Sequence, residues 1–277
     1  MSVKIKEVDE DLFDDEIHLC LPPKDSPKYA AFQGGILEKR AWLKKRLAEL
    51  GSVAQIAYYD RRPVGFIEYV SAEYAPVPAD DYGKTALVTC IYKPKFEGKG
   101  VGSALLKVAL ERLRQLNMQQ VKTLVSRGPE WINRGIYLKH GFQLEKTLYK
   151  LGGTEPFDLF TLSMGATRTP VQKPVTMRFE PQPTDSLPVH VIYFCSGQCP
   201  FNHLILERLR RVLAKFDAKH IVLEVLDSWE NCKLARECGA MSSALLVNGR
   251  MPFLGPPSEE KMEKEIREEI ERIRALG

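Results

Sequence analysis

A glycine turn that opens a helix is the first feature able to do chemistry. In Gly98-Lys99-Gly100-Val101-Gly102-Ser103, successive backbone N–H groups can close on an anion without side-chain obstruction, and the dipole of the following helix adds partial positive charge there. A pyrophosphate suits that chemistry. The turn is not a dinucleotide fingerprint, because Ser103 stands where G-x-G-x-x-G needs its third glycine. It is not a P-loop either, because Gly102 is followed by Ser103-Ala104. The second feature is a thiol at a helix start. In Cys195-Ser196-Gly197-Gln198-Cys199-Pro200, the proline fits the first helical position and places Cys199 near the N-cap, where the helix dipole is expected to lower its pKa. Cys195 is its candidate resolving partner. Cys195, Cys199 and His203 also space as C-x-x-x-C-x-x-x-H, but Cys232 and Cys238 sit at no paired spacing and no metal site is assigned. Cys90, in an apolar strand, reads as a small buried hydrophobe, and His140 before Gly141 as a helix C-terminal group.

The elements that must position these groups follow from periodicity. A strand near Val3–Val8 precedes a helix over Ile36–Leu50, where Ile36, Leu43, Leu47 and Leu50 form one stripe and Lys39, Arg40, Lys44, Arg46 and Glu49 lie off it. Ala54–Asp60 and Pro63–Glu73 read as a hairpin. Thr85–Phe96 is a strand that runs into the glycine turn, and Ser103–Asn117 an amphipathic helix. Then come a strand at Val121–Ser126, a short helix over Glu130–His140 stopped by Gly141, and a strand pair at Gln143–Leu151 and Phe157–Met164. Between Gly165 and Pro188, five prolines deny the chain regular hydrogen bonding, so residues 165–188 read as an interdomain linker. Beyond it lie a strand at Val189–Phe194, a helix over Pro200–Phe216, a strand at Ile221–Leu226 and a helix over Ser228–Glu237. A hairpin around Asn248-Gly249 and a last helix, Glu259–Leu276, follow. The order βαβαββα is that of an α/β layer fold.

Composition sets the outer bounds. At 277 residues with 44% hydrophobic and 27% charged side chains, the chain fits about two folded domains and not long-range disorder. A formal charge of +4 from 40 basic and 36 acidic groups, without a long basic block, argues against bulk nucleic-acid or membrane-surface binding. No apolar run approaches the length of a membrane span, and the charged amino terminus lacks a signal-peptide core, so a cytoplasmic location is expected. Six cysteines are too few for a disulfide scaffold.

The run from Tyr92 through Glu97-Gly98-Lys99-Gly100-Val101-Gly102 into Ser103-Ala104-Leu105-Leu106 resembles the acetyl-CoA signature of the GNAT acyltransferase family. Tyr137-Leu138-Lys139-His140-Gly141-Phe142 is similar to that family's Y-x-x-x-G-F segment. The resemblance covers about residues 1–164 and implies an α+β fold with a mixed sheet. It also implies direct acetyl transfer from acetyl-CoA to the amine of a small molecule or peptide. By the same resemblance, backbone groups of Ile91 and Tyr92 pair with the pantetheine amides and the amides of Gly98, Lys99, Gly100, Val101, Gly102 and Ser103 hold the pyrophosphate. Tyr137 is then the acid that protonates the departing thiolate. Glu97 departs from the usual Gln or Arg, and Ala86 falls where some members carry a glutamate base. Glu68, Glu73, Asp80 and Asp81 are the candidate bases, with water as the alternative.

Val191–Asn202 resembles the active-site strand and turn of the thioredoxin/glutaredoxin fold, with Asn202 in place of the resolving cysteine and Ser243 where a cis-proline is expected. The resemblance implies a smaller thioredoxin-like α/β domain over residues 189–277, and the whole arrangement resembles YoaP-type acetyltransferases. Three roles stay open for this domain: redox chemistry at Cys199 with Cys195, substrate or metal binding, and a structural or docking role. The competing reading of the chain is a thiol protein whose first domain only senses acyl-CoA.

Overall fold

In a computed structural model, the chain is described over residues 3–77, 82–92, 100–126, 134–148, 157–165, 187–238, 240, 243–254 and 257–276. The expected linker lies outside these, apart from Gly165, Leu187 and Pro188.

The first sheet has seven strands: β1 (Lys4–Glu7), β2 (Ala54–Tyr59), β3 (Arg62–Ser71), β4 (Thr85–Tyr92), β5 (Gln120–Ser126), β6 (Gln143–Leu148) and β7 (Phe157–Ser163), in the order β1-β2-β3-β4-β5-β7-β6. Only β4 and β5 are parallel. Parallel neighbours need a crossover, and α3 (Val101–Gln115) supplies it, laying Val101, Leu105, Leu106, Ala109, Leu110 and Leu113 on the sheet. Tyr137, on α4 (Arg134–Lys139), joins the same layer. The other face is covered by α1 (Phe13–Leu19) and α2 (Gln33–Leu50), whose Phe13, Ile17, Ile36 and Leu43 pack on Ile56, Phe66 and Leu87.

The second sheet, in the order β11-β10-β8-β9, is built from β8 (Val189–Cys195), β9 (Ile221–Asp227), β10 (Ala244–Val247) and β11 (Arg250–Leu254). β8 and β9 are parallel, joined through α5 (Phe201–Leu213), and β10 is antiparallel to both β8 and β11. α6 (Cys232–Glu237) follows β9, and α7 (Glu259–Arg274) closes the fold. Rich in Glu and Arg, α7 nonetheless buries Met262, Ile266, Ile270 and Ile273 at helical spacing.

The two halves share a core. Trp229, just after β9, belongs to the apolar cluster of α1, α2 and the first sheet, and its ring meets Trp42 of α2 edge-on at 5.3 Å. Close approach is permitted by missing side chains: a Cβ on Gly35 of α2 would fall 2.2 Å from the Pro200 carbonyl oxygen, and one on Gly197 3.0 Å from that of Glu38. As a result α2 is covered on two sides. Lys39 and Arg46, which lie off the apolar stripe, are buried because the second half packs over them. Arg46 and Lys45 both donate to Glu230, and the Arg46 guanidinium lies over the Trp229 ring.

Candidate active site

β4 and β5 pair from Thr85↔Gln120 to Val88↔Thr123 and no further, although β4 runs on to Tyr92 and β5 to Ser126. Each diverging strand stays held by its other neighbour, β4 by β3 and β5 by β7. Among the described residues the two facing edges therefore leave an opening across which they do not bond each other, and an extended chain carrying amides can satisfy such edges. The divergence starts at a bulge. Tyr69 opposes Val88 and Glu68 opposes Cys90, so Thr89 is the extra residue. It also reverses the alternation of side chains: Ile91 joins the α3 layer, whereas Leu87 and Cys90 face the α1–α2 layer.

Part of the expected site lies among the described residues. Ile91 and Tyr92 form the open edge of β4, paired on the far side with Ile67 and Phe66. Gly100 caps α3 at φ 73°, a left-handed conformation that favours glycine. Among the described residues no side chain caps the helix, which leaves the first-turn amides, those of Val101, Gly102 and Ser103 among them, suited to an anion. Gly98 and Lys99, with Glu97, lie outside the described residues.

Tyr137 is fully buried, with its ring edge-on to Phe142 at 5.3 Å. The turn at Gly141 brings Phe142 back so that its N–H donates to the Tyr137 carbonyl oxygen at 3.1 Å. The Thr123 side chain is the hydrogen-bonding group that faces the Tyr137 hydroxyl, although the pair falls short of good hydrogen-bond geometry. Burial pushes the Tyr137 pKa above the ordinary phenol range, and Thr123, at the last β4–β5 pair, and Cys90, just past the bulge, act on it. A buried, proton-bearing phenol thus stands where the two strands part.

On the opposite face the second half reaches the bulge. Gln198 Nε2 donates to Thr89 Oγ1 at 2.6 Å and to Glu68 Oε2 at 2.8 Å, and Lys39 Nζ donates to Glu68 Oε1 at 2.7 Å. Glu68 is 1% exposed with both oxygens engaged, so it is not the free base considered from sequence. Of the other candidates, Glu73 is exposed at the half-to-half contact, its carbonyl accepting from the Cys232 thiol, and Asp80 and Asp81 lie outside the described residues. Glu16, of α1, lies 3.1 Å from Lys39 Nζ. Burial raises its carboxyl to about 8 despite Lys39, with Glu68 adding to the rise. The two carboxylates in turn hold the Lys39 ammonium above its ordinary range against the opposing effect of burial.

The thiol expectations change here. Burial pushes the Cys199 thiol up, outweighing the Phe201 and Asn202 amides and Lys39, so the expected lowering at the helix start does not occur. Its thiol acts on Cys20 and Cys90 of the first half, whereas Cys195 contacts the Leu226 carbonyl and is pushed up to about 12 by burial and Asp227. Both cysteines are free. Asn202, in the resolving position, is buried; it donates to the Ser196 carbonyl at 2.9 Å and accepts from the Ser243 hydroxyl. His203 Nδ1 lies 2.9 Å from Glu38 Oε1, and no metal-ligand group forms among the described residues. Sequence reasoning missed Lys39, Glu16, Thr89 and Gln198; the Gly34-Gly35 pair at the start of α2 was the available sign of a close neighbour.

Residues 14–142 match the family model described as the acetyltransferase (GNAT) family. The chain carries a GNAT acetyltransferase domain. Among solved structures, the chain is similar to an N-acetyltransferase from Staphylococcus aureus Mu50 at 16% identity and TM-score 0.46, over 60% of this chain and 100% of that one. A putative acetyltransferase, yncA, from Salmonella typhimurium, solved with acetyl-CoA, matches at 14% identity and TM-score 0.47, over 61% and 98%. The paia N-acetyltransferase from Thermoplasma acidophilum, solved with coenzyme A, matches at 19% identity and TM-score 0.41, over 57% and 98%. No curated protein matches the chain. No described helix of the GNAT domain or of the second half is long and apolar enough to cross a membrane.

Proposed function

We propose that the protein is an acetyl-CoA-dependent N-acetyltransferase that transfers acetyl directly to an amine of a small molecule or peptide. Residues 1–164 form the GNAT domain, and residues 189–277 an accessory thioredoxin-like domain. The observation that carries the reading is the buried, protonated Tyr137 hydroxyl beside Thr123, at the point where β4 and β5 part. Acetyl-CoA supplies the thioester that the acceptor amine cleaves, forming a C–N bond and releasing thiolate. The open edge of Ile91 and Tyr92 suits the amides of the pantetheine arm. The α3 amides from Gly100 to Ser103, with Gly98 and Lys99 from the motif, suit the pyrophosphate. Tyr137, kept protonated by burial, gives its proton to the departing sulfur and regains one from solvent, which also takes the proton shed by the acceptor nitrogen. Supporting the accessory fold are its strand order and the parallel β8–β9 pair. The raised Cys199 and Cys195 thiols weigh against a dithiol redox role.

Calorimetry on the full chain tests the co-substrate: acetyl-CoA is expected to bind, and no binding at millimolar ligand refutes the reading. Tyr137→Phe is expected to lower CoA release by about a hundredfold with a panel of amine acceptors while leaving acetyl-CoA affinity unchanged. Unchanged turnover removes Tyr137 from the mechanism.

A further inference from the structure

Past Val88, β4 has lost β5 and keeps only the β3 ladder, which slips by one residue at Thr89. A bulged residue has no ladder partner of its own, so something else must fix its position. That support comes from the second half. The Gln198 amide spends both protons there, one on Thr89 Oγ1 and one on Glu68 Oε2. The Thr89 hydroxyl in turn approaches the Glu68 carbonyl oxygen at 3.4 Å. Lys39 holds the other Glu68 oxygen, so the bulged residue is tied to a carboxylate that is itself anchored to α2.

Gln198 is well placed to act as a fixed support. It is 8% exposed, and its backbone N–H donates to Ser196 Oγ at 3.0 Å. The Ser196 carbonyl accepts from Asn202, and the Asn202 N–H donates to the Cys199 carbonyl oxygen, so the turn is cross-braced on itself. The Trp42–Trp229 contact seats the same surface in a shared apolar core. An interface of that kind does not favour free relative motion.

We propose that Gln198 is a positioning residue of the acetyltransferase site. Through Thr89 and Glu68 it sets the line of β4 from Thr89 to Tyr92, and with it the width of the acyl-CoA slot. The second half is then a working part of the first half's co-substrate site. The proposal rests on the acetyl-CoA reading given above. It requires the support to matter to the pantetheine arm, whose amides pair along β4, and not to the pyrophosphate end, which depends on the start of α3.

The experiment uses the full chain, with calorimetry for CoA and for 3′-phosphoadenosine 5′-diphosphate, the same head group without the arm. Gln198→Met keeps the length of the side chain and removes the amide. It is expected to weaken CoA binding about tenfold and leave the arm-less nucleotide within about twofold. Thr89→Val should produce the same selective loss without adding to it in the double variant, and Thr89→Ser, which keeps the hydroxyl, should bind CoA as the wild type does. CoA affinity unchanged in both Gln198→Met and Thr89→Val overturns the proposal. So does an equal loss for both ligands, which indicates general loosening. A wild-type chain that binds neither ligand instead overturns the acetyl-CoA reading, and the proposal with it.

Discussion

Replacing Glu16 by glutamine is expected to stabilise this protein at neutral and alkaline pH, although it removes one side of a buried ion pair. Glu16 and Glu68 share the single cation Lys39, at 3.1 and 2.7 Å, and all three side chains are buried. One carboxylate balances the ammonium; the second must stay protonated or be buried as excess charge. Burial raises the Glu16 carboxyl to about 8, while the unfolded chain returns it to the ordinary value near 4.5. Between those values the unfolded state is ionised and the folded state is not. The stability tied to this group is therefore whole below about pH 4.5 and lost as the pH rises towards 8. At pH 7 the gap of roughly 2.5 units corresponds to a loss on the order of 3 kcal/mol, an upper bound because the cluster shares its protons. Glutamine keeps a carbonyl oxygen for Lys39 and has no proton to lose. Thermal unfolding of Glu16→Gln beside the wild type should show a gain of at least about 1 kcal/mol at pH 8, or roughly 2 to 4 °C. The gap should close as the pH falls to about 4.5. A variant less stable than the wild type at pH 8, or a difference that does not change with pH, refutes the reasoning.

The thiols and the shared core give two further tests. Cys199, raised by burial, is expected to react with iodoacetamide at pH 7.5 more than about tenfold slower than a free cysteine. Gly35→Val forces a Cβ onto the Pro200 carbonyl and should speed that reaction as α5 lifts from α2, and fast labelling in the wild type would restore the thiol-site reading. Trp229→Ala should lower the stability of the first half as well as the second, by about 3 to 5 kcal/mol in all. Separate thermal transitions, with the first half unmoved, would count against one shared core.

What could be read in the sequence was what local chemistry dictates. Alternation and helical stripes placed β1 to β11 and the long helices within a few residues, because each apolar pattern is local. The glycine turn was legible as a helix start, because Gly100 takes a left-handed φ just before α3. The segments Tyr137 to Phe142 and Gly98 to Ser103 lie far apart in the chain, and only their resemblance to one family placed them at a common site. The bulge at Thr89 was invisible: Thr85–Tyr92 is an unbroken strand sequence, and the slip depends on what β3 and Gln198 offer it.

The same limit explains why the sequence points to a lowered Cys199 pKa where burial raises it. A helix start lowers a thiol's pKa only where the thiol meets solvent or a cation without a large desolvation penalty. In this fold the strand-turn-helix that would present Cys199 to a partner is turned inward onto α2, so that Lys39 and Trp42 lie beneath it and Arg46 beneath the segment after β9. Those three residues had been assigned to no core, since α2 already had an apolar stripe, and periodicity in one helix cannot report that a second face is covered by a segment more than 150 residues away. Cys199 then acts as one thiol among Cys20 and Cys90, while the polar contact that reaches β4 is made by its neighbour Gln198. The strand, proline and helix around Cys199 serve here as a frame that carries the Gln198 amide to β4.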